Sequence, residues 1–202
     1  MNFKTYWDNS YKTYNPDKDY SNWLKDYLKE IKSCETEVLD LGCGAGSDAN
    51  FLTQLGVNVV ACDFSFQALK RIENKNIKTM LVDMTQKLPF DNDKFGFIIA
   101  DLSLHYFDEK TTFEIMKEIK RILKPNGVLL ARVNSVEDII HGAGQGEKIE
   151  DNFYYVKGYN KRFFNFEDVY KFFSVIGKVE AKKVMVSRFT KPKPIIEVKV
   201  TK

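Results

Sequence analysis

Residues 38–46 have the sequence Val38-Leu39-Asp40-Leu41-Gly42-Cys43-Gly44-Ala45-Gly46, and this stretch decides the fold of the 202-residue chain. An apolar run that ends in an acid and three alternating glycines indicates a buried strand that stops, turns sharply and opens a helix. Glycines at such a turn adopt positive φ and let a ligand approach the main chain without meeting a Cβ atom. Phe51, Leu52 and Leu55 then recur at helical spacing, so we expect a nucleotide pocket at the N-terminus of that helix.

The spacing of the glycines distinguishes this loop from two other nucleotide-binding motifs. A dinucleotide-binding fingerprint has glycine at the first, third and sixth loop positions, whereas the sixth position here is Ser47. The Gly-Lys-Ser/Thr ending of a phosphate-binding loop is also absent. The carboxylate of Asp40, just ahead of the glycines, suits a cationic group better than a pyrophosphate.

Acidic residues also end the apolar runs that follow. Asp63, Asp83 and Asp101 stand at the ends of runs near 57–62, 77–82 and 95–101. We predict strands near 37–41, 57–62, 77–82, 95–101 and 127–133, and helices near 47–55, 65–74 and 110–123. This alternation is typical of an α/β fold with a mainly parallel sheet. Ligands of such sheets bind at the carboxyl ends of the strands, where these acids are expected to lie.

With an acid one residue ahead of three alternating glycines, the sequence resembles the class I S-adenosylmethionine-dependent methyltransferases, as found in small stand-alone bacterial enzymes. The family pattern continues in order through Asp63, Asp83-Met84, Leu88-Pro89-Phe90, residues 95–101 and residues 119–127. The resemblance implies a Rossmann-like three-layer sandwich whose seven-stranded, mostly parallel sheet has an antiparallel last strand. It also implies S-adenosyl-L-methionine as the cofactor, S-adenosyl-L-homocysteine as its product, and no metal.

The resemblance carries a set of cofactor contacts onto this sequence, namely Asp40, Gly42, Cys43, Gly44, Asp63, Phe64, Asp83, Met84 and Asp101. Asp63 lies about 20 residues after the glycines, where an acid can accept hydrogen bonds from both ribose hydroxyls. In the family, the positions of Asp83 and Met84 hold the adenine amino group and flank the adenine ring.

The two ends of the chain are expected to surround this core. Residues 1–34 are interpreted as an N-terminal cap, in which aromatic residues including Tyr14 dock on the domain or a ligand, and an amphipathic helix starts near Asp17 or Asp19. Residues 134–165 are expected to be a mobile loop that acts as a lid or contacts the substrate. We then predict a helix over 166–176, and strands over 179–189 and 195–200 around a proline-containing hairpin.

The loop after the fourth strand is expected to build the acceptor side. His105 is the candidate general base, because its charge can change near neutral pH. A packing role for this histidine remains open. Further candidate acceptor contacts are Tyr6, Tyr11, Tyr106, Arg132 and Arg162; for each of them packing or ordinary ion pairing is the alternative. The loop lacks the Asn/Asp-Pro-Pro-Tyr motif of many enzymes that methylate DNA bases or protein glutamine, which disfavours those acceptors.

Composition limits the function classes. The length suits one domain over residues 1–202, and the net charge of +3 comes from interspersed charges, with no strong sign of nucleic-acid binding. Three cysteines without paired spacing favour a reducing, cytoplasmic location. No apolar run approaches the roughly 20 residues of a membrane span. We expect a monomer or a homodimer.

The leading hypothesis is a methyltransferase that acts on a small-molecule acceptor. RNA or protein methylation is one alternative. A non-catalytic sensor or partner subunit that binds S-adenosylmethionine is another, because intact cofactor motifs fit both. A nicotinamide-dependent dehydrogenase is disfavoured by Ser47 and by the acid ahead of the glycines.

Overall fold

The computed structural model describes residues 3–13, 23–187, 189 and 191–202. Its strands are β1 (Val38–Leu41), β2 (Val59–Asp63), β3 (Lys78–Leu81), β4 (Phe95–Asp101), β5 (Leu123–Asn134), β6 (Glu147–Glu150), β7 (Phe153–Val156), β8 (Tyr159–Arg162), β9 (Lys178–Val186) and β10 (Lys193–Thr201). Its α-helices are α1 (Phe3–Thr13), α2 (Leu28–Ser33), α3 (Ser47–Gln54), α4 (Phe66–Leu69), α5 (Glu109–Ile122) and α6 (Phe166–Phe173). Short 3₁₀ turns cover Trp23–Tyr27 and Ile139–His141.

Seven of these strands form one sheet in the order β3-β2-β1-β4-β5-β10-β9. β1 lies in its middle, where Val38 pairs in parallel with Val59 of β2 and with Phe97 of β4. β10 runs antiparallel to both of its neighbours, β5 and β9. The predicted mostly parallel sheet with an antiparallel last strand is therefore confirmed. One detail differs: Pro194, expected in the hairpin, is the second residue of β10.

Helices cover both faces of this sheet, which explains why its central strands are apolar throughout. One face packs against α5 and α6 through residues such as Met116 and Phe172. The opposite face packs against the Trp23–Tyr27 turn, α2 and α3 through Leu24, Ile31 and Leu52. The three layers leave the carboxyl edge of the parallel strands uncovered by the helices of the sandwich.

The expectation of a loop over residues 134–165 is wrong for its second half. β6, β7 and β8 form a three-stranded antiparallel sheet of their own. The sequence of its strands does not alternate between apolar and polar residues. Glu147 and Lys148 are exposed, and the buried residues include the charged Lys161 and Arg162 as well as Phe153. The sheet is stabilised by tertiary contacts, which a local pattern does not contain.

The N-terminal cap is partly described. α1 packs against α4, and Asp8 accepts hydrogen bonds from Ser65 Oγ at 2.6 Å and from the backbone of Gln67 at 3.5 Å. Tyr14 and the predicted helix start at Asp17 or Asp19 lie outside the described residues. The helix predicted over 65–74 is shorter, since α4 covers only Phe66–Leu69. Within the described ranges, no helix has the length and apolar character needed to cross a bilayer.

Candidate active site

A cavity of about 900 Å³ opens at the carboxyl ends of β1 to β4. Predicted site residues that line it are Tyr11, Gly42, Asp63, Phe64, Asp83, Met84, Asp101, His105 and Tyr106. Predicted site residues outside its lining are Tyr6, Asp40, Cys43, Gly44, Arg132 and Arg162. Lining residues that were not predicted from the sequence include Lys4, Trp7, Thr85, Ser103, His141, Tyr159, Lys161, Phe189 and Lys193. The structure thus gathers the predicted cofactor side and adds a second side from distant segments.

The glycine loop is held against the end of β2. The backbone N–H groups of Gly42 and Cys43 both donate to the carbonyl oxygen of Cys62, at 2.7 and 2.9 Å. Gly42 has a φ of +77°, and a Cβ atom there would lie 2.3 Å from the Cβ of Ser103. A side chain at Gly42 is excluded both by the backbone conformation and by this contact. The first glycine therefore lets the loop after β4 approach the loop after β1.

Asp63 links the glycine loop to the turn after β2. Its carboxylate accepts the backbone N–H of Gly44 at 2.9 Å and that of Ser65 at 2.8 Å. Burial raises the pKa of Asp63, while the hydrogen bonds from Ser65, Gly44 and Phe64 lower it. Each carboxylate oxygen has two lone pairs, so hydroxyl groups of a ligand can still bind to Asp63.

Asp40 lies behind the glycine loop in a group of four acids. It is 2% exposed, and its Oδ2 atom has no hydrogen-bond partner among the described residues. Burial raises its pKa well above the ordinary value, and the charges of Asp48, Asp101 and Asp63 raise it further, against a lowering hydrogen bond from the backbone of Ala49. This concentration of negative charge favours a cationic ligand beside the loop.

The loop after β3 forms another wall. Asp83 is exposed, and its Oδ1 accepts the backbone N–H and the hydroxyl of Thr85, at 2.9 and 2.8 Å. These bonds fix the carboxylate and leave Oδ2 for a ligand amino group. Met84 follows, partly buried and in the cavity wall, where a thioether can cover the face of a flat ring.

The loop after β4 brings the predicted general base into the cavity. Leu102 has a φ of +52°, an unfavourable conformation for a non-glycine residue, and its N–H donates to Arg132 O at 2.9 Å. His105 follows at 1% exposure, with an Nδ1 atom that has no hydrogen-bond partner. Burial lowers the pKa of His105 well below its ordinary value, and the charges of Lys193 and Lys161 lower it further. The imidazole is therefore neutral at pH 7.

A second histidine, which the sequence analysis did not select, also lines the cavity. His141 Nδ1 lies 2.5 Å from Oδ1 of the wholly buried Asp138. The carboxylate orients the ring through this hydrogen bond to Nδ1. The signal in the sequence was the three-residue spacing of Asp138 and His141, because a 3₁₀ turn places side chains at positions i and i+3 next to each other. Both histidines of the chain thus lie at this cavity.

Aromatic side chains from α1 roof the cavity. The ring centroid of Tyr6 lies 4.7 Å from that of Tyr159 on β8, and Trp7 lies 5.5 Å from Tyr106. Trp7 is also 5.8 Å from Tyr11. The expectation that N-terminal aromatic residues dock on the domain agrees with this arrangement. These rings form an aromatic wall over one side of the cavity.

The two arginines that were candidate acceptor contacts have other partners. Arg132 forms a bidentate pair with Asp101, at 2.7 and 2.6 Å, and its guanidinium stacks 4.4 Å from the ring of Trp23. Arg162 is 2% exposed and pairs with Glu150. It also donates to the carbonyl oxygen of Phe107 at 3.2 Å. Both arginines therefore position segments around the cavity without lining it.

The fold and the acid-lined cleft define a Rossmann-like nucleotide-binding domain. Residues 38–127 match the family model described as Methyltransferase domain. The chain is 32% identical to an uncharacterized protein of Methanocaldococcus jannaschii over 145 residues, which are 69% of this chain and 54% of that protein. It is 33% identical to an uncharacterized methyltransferase of Synechocystis over 93 residues, 46% of this chain and 44% of that protein.

Among solved structures, a SAM-dependent methyltransferase from Methanosarcina mazei is similar with a TM-score of 0.68 at 18% identity, over 82% of this chain and 92% of that one. The chain spans about half the length of the curated relatives it matches. Residues 38–127 thus match the methyltransferase family model, and the chain shares its fold with a solved SAM-dependent methyltransferase.

The residues present fit the cofactor of this family. The unpartnered Oδ2 of Asp40 and the group of acids around it suit the cationic end of S-adenosylmethionine. Asp63 and Asp83 line the same cavity, and their roles toward the ribose hydroxyls and an amino group of the base stay predictions. Among the residues that the structure describes, no cluster of three or more metal-binding side chains occurs.

Proposed function

We propose that this domain transfers a methyl group from S-adenosylmethionine to a small-molecule acceptor. The observation that carries the proposal is that one cavity joins the cofactor side, at Gly42 and Asp63, to a second side at His105, Tyr159 and Lys161. When bound, S-adenosylmethionine supplies an electrophilic methyl group on a sulfonium.

The residues of the chain would bind, align and desolvate the two ligands. Asp63 and Asp83 accept hydrogen bonds from the cofactor, which fixes its direction in the cavity. The roof over the cavity excludes water, and alignment in such a site lowers the barrier of an in-line displacement. Neutral His105 can accept a hydrogen bond or a proton from an acceptor hydroxyl or amine.

The enclosure supports a small acceptor over a macromolecule. α1 and the β6–β8 sheet cover the cavity on the acceptor side, through the contacts of Tyr6 with Tyr159 and of Trp7 with Tyr106. A volume of about 900 Å³ falls within the roughly 300–1,000 Å³ of small-molecule sites. An RNA or protein acceptor would have to displace this roof.

The test uses S-adenosylmethionine with a radiolabelled methyl group and a cell extract separated into small molecules, RNA and protein. We expect label in the small-molecule fraction, lost with Asp63→Ala and retained with Asp91→Ala, which changes an exposed acid outside the cavity lining. Label in RNA or protein would contradict the small-molecule proposal. Calorimetric binding of the cofactor without transfer to any fraction would favour a sensor or partner subunit.

A further inference from the structure

The acceptor end of the cavity gathers nitrogen-bearing side chains from four separate segments. His105 comes from the loop after β4, His141 from the 3₁₀ turn, Lys161 from β8 and Lys193 from the start of β10. The positive charges of Lys193 and Lys161 both lower the pKa of His105, because the three side chains lie near one another. Asp138 is the carboxylate behind them, at 2.5 Å from His141 Nδ1 and 3.8 Å from Lys193 Nζ.

Lys161 has few hydrogen-bond partners for its buried ammonium group. It is 7% exposed, and its Nζ donates to His141 O at 3.4 Å, near the limit for a hydrogen bond. No ion pair of Lys161 with a described carboxylate lies within 4 Å. An ammonium group has three donors, and leaving them unsatisfied away from water is costly. An anion in the cavity would satisfy them.

The alternation of β8 explains how this lysine reaches the cavity. Tyr159 and Lys161 are two residues apart and line it, whereas Arg162 packs on the other side between Phe153 and Phe172. The backbone N–H of Arg162 donates to His105 O at 2.7 Å. β8 is thereby held to the loop that carries His105, and Lys161 is fixed at the acceptor end.

Two histidine ring nitrogens lie at the same end of the cavity. Nδ1 of His105 is buried without a partner, and Nε2 of His141 has no hydrogen bond to any described residue. Aromatic rings lie beside these groups. The Nζ atom of Lys161 lies 5.1 Å from the ring centroid of Tyr159, and the ring centroid of Phe189 lies 5.9 Å from that of His141. Such walls fit a flat apolar body with polar substituents.

We propose that Lys161 binds the acid group of the acceptor, which is a small organic carboxylate with a flat apolar body. This inference rests on the proposed function, because it names the acceptor class of the same site. An ammonium forms charge-assisted hydrogen bonds to a carboxylate, and the low-dielectric surroundings strengthen them.

The experiment titrates the protein with benzoate and with the neutral analogue benzamide by ligand-observed NMR, with and without S-adenosylhomocysteine. The two probes have similar shapes and differ in charge. We expect benzoate to bind at least about tenfold more tightly, as a charged hydrogen bond implies. Lys161→Met should abolish that preference, whereas Lys117→Met, which changes an exposed lysine on α5, should leave it unchanged.

Calorimetry with S-adenosylhomocysteine separates the two proposals and shows that each variant is folded. Equal binding of benzoate and benzamide, no benzoate binding by the wild type, or full benzoate affinity in Lys161→Met would overturn the carboxylate site. Failure of folded wild-type protein to bind S-adenosylhomocysteine would instead contradict the proposed methyl transfer. Lys193→Met provides a second variant, and we expect it to weaken benzoate by a smaller factor because Asp138 already lies near that lysine.

Discussion

Replacing Arg162 with methionine should destabilise the protein strongly while preserving cofactor binding. The guanidinium donates to the carboxylate of Glu150 and to the carbonyl oxygens of Phe107 and Asp151, each of the latter at 3.2 Å. Methionine fills similar space but leaves all three acceptors without this donor. Removing one member of a buried ion pair costs roughly 3–5 kcal/mol. Because Glu150 remains 33% exposed, we expect the lower end, about 3 kcal/mol.

For a chain of this size, that loss corresponds to a fall in melting temperature of roughly 6–12 °C. Urea unfolding at pH 7 measures the free energy directly, with Lys148→Met as the control. Lys148 of β6 pairs with Asp151 in the following turn, but both side chains are exposed and solvent screens the pair, so this control should leave stability nearly unchanged. A loss below about 1 kcal/mol in Arg162→Met would refute the structural role assigned to the arginine.

Three further outcomes are expected. Gly42→Ala should abolish S-adenosylhomocysteine binding in a thermal-shift assay, because the new Cβ would lie 2.3 Å from the Cβ of Ser103. Gly56→Ala is the control: Gly56 also has a positive φ, but a Cβ there would meet no atom within 4 Å, so binding should be retained. Asp40→Asn should raise the melting temperature at pH 7, because a raised pKa means that the folded state loses stability as the pH rises above about 3.8. The same substitution should weaken the binding of S-adenosylmethionine, measured by calorimetry. Below pH 6.5 the unfolded state takes up a proton on His105 that the folded state excludes, so the free energy of unfolding decreases as the pH is lowered. His105→Gln should reduce this pH dependence, measured by chemical unfolding between pH 5 and 7.

The cofactor half was predictable because its signals are local in sequence. Asp63 and Asp83 each follow a short apolar run, and a parallel sheet places all such ends at one edge. Gly42 could be selected because only glycine suits both a positive φ and the close approach of Ser103. The roles assigned to these residues in cofactor binding stay predictions until the binding experiments are done.

The acceptor half was not predictable in the same way, because distant partners determine it. Arg132 was a candidate acceptor contact, but Asp101 is 31 residues away in sequence and forms a bidentate pair with it. The β6–β8 sheet has a polar sequence, and its stability depends on buried Arg162 and on contacts with the loop after β4. His141 was embedded in a glycine-rich segment, and its importance follows only once Asp138 is seen beside it.

The position of β10 has a consequence for how the chain folds during synthesis. β10 follows β9 in sequence but lies between β5 and β9 in the sheet, where Val198 pairs with both Ala131 and Ala181. β9 therefore leaves the ribosome before the strand that attaches it to the sheet exists. Until residues 193–201 emerge, the edges of β5 and β9 stay open, and such edges are prone to pair with other chains. Completion of this sheet is thus a late event that depends on contacts of high sequence separation.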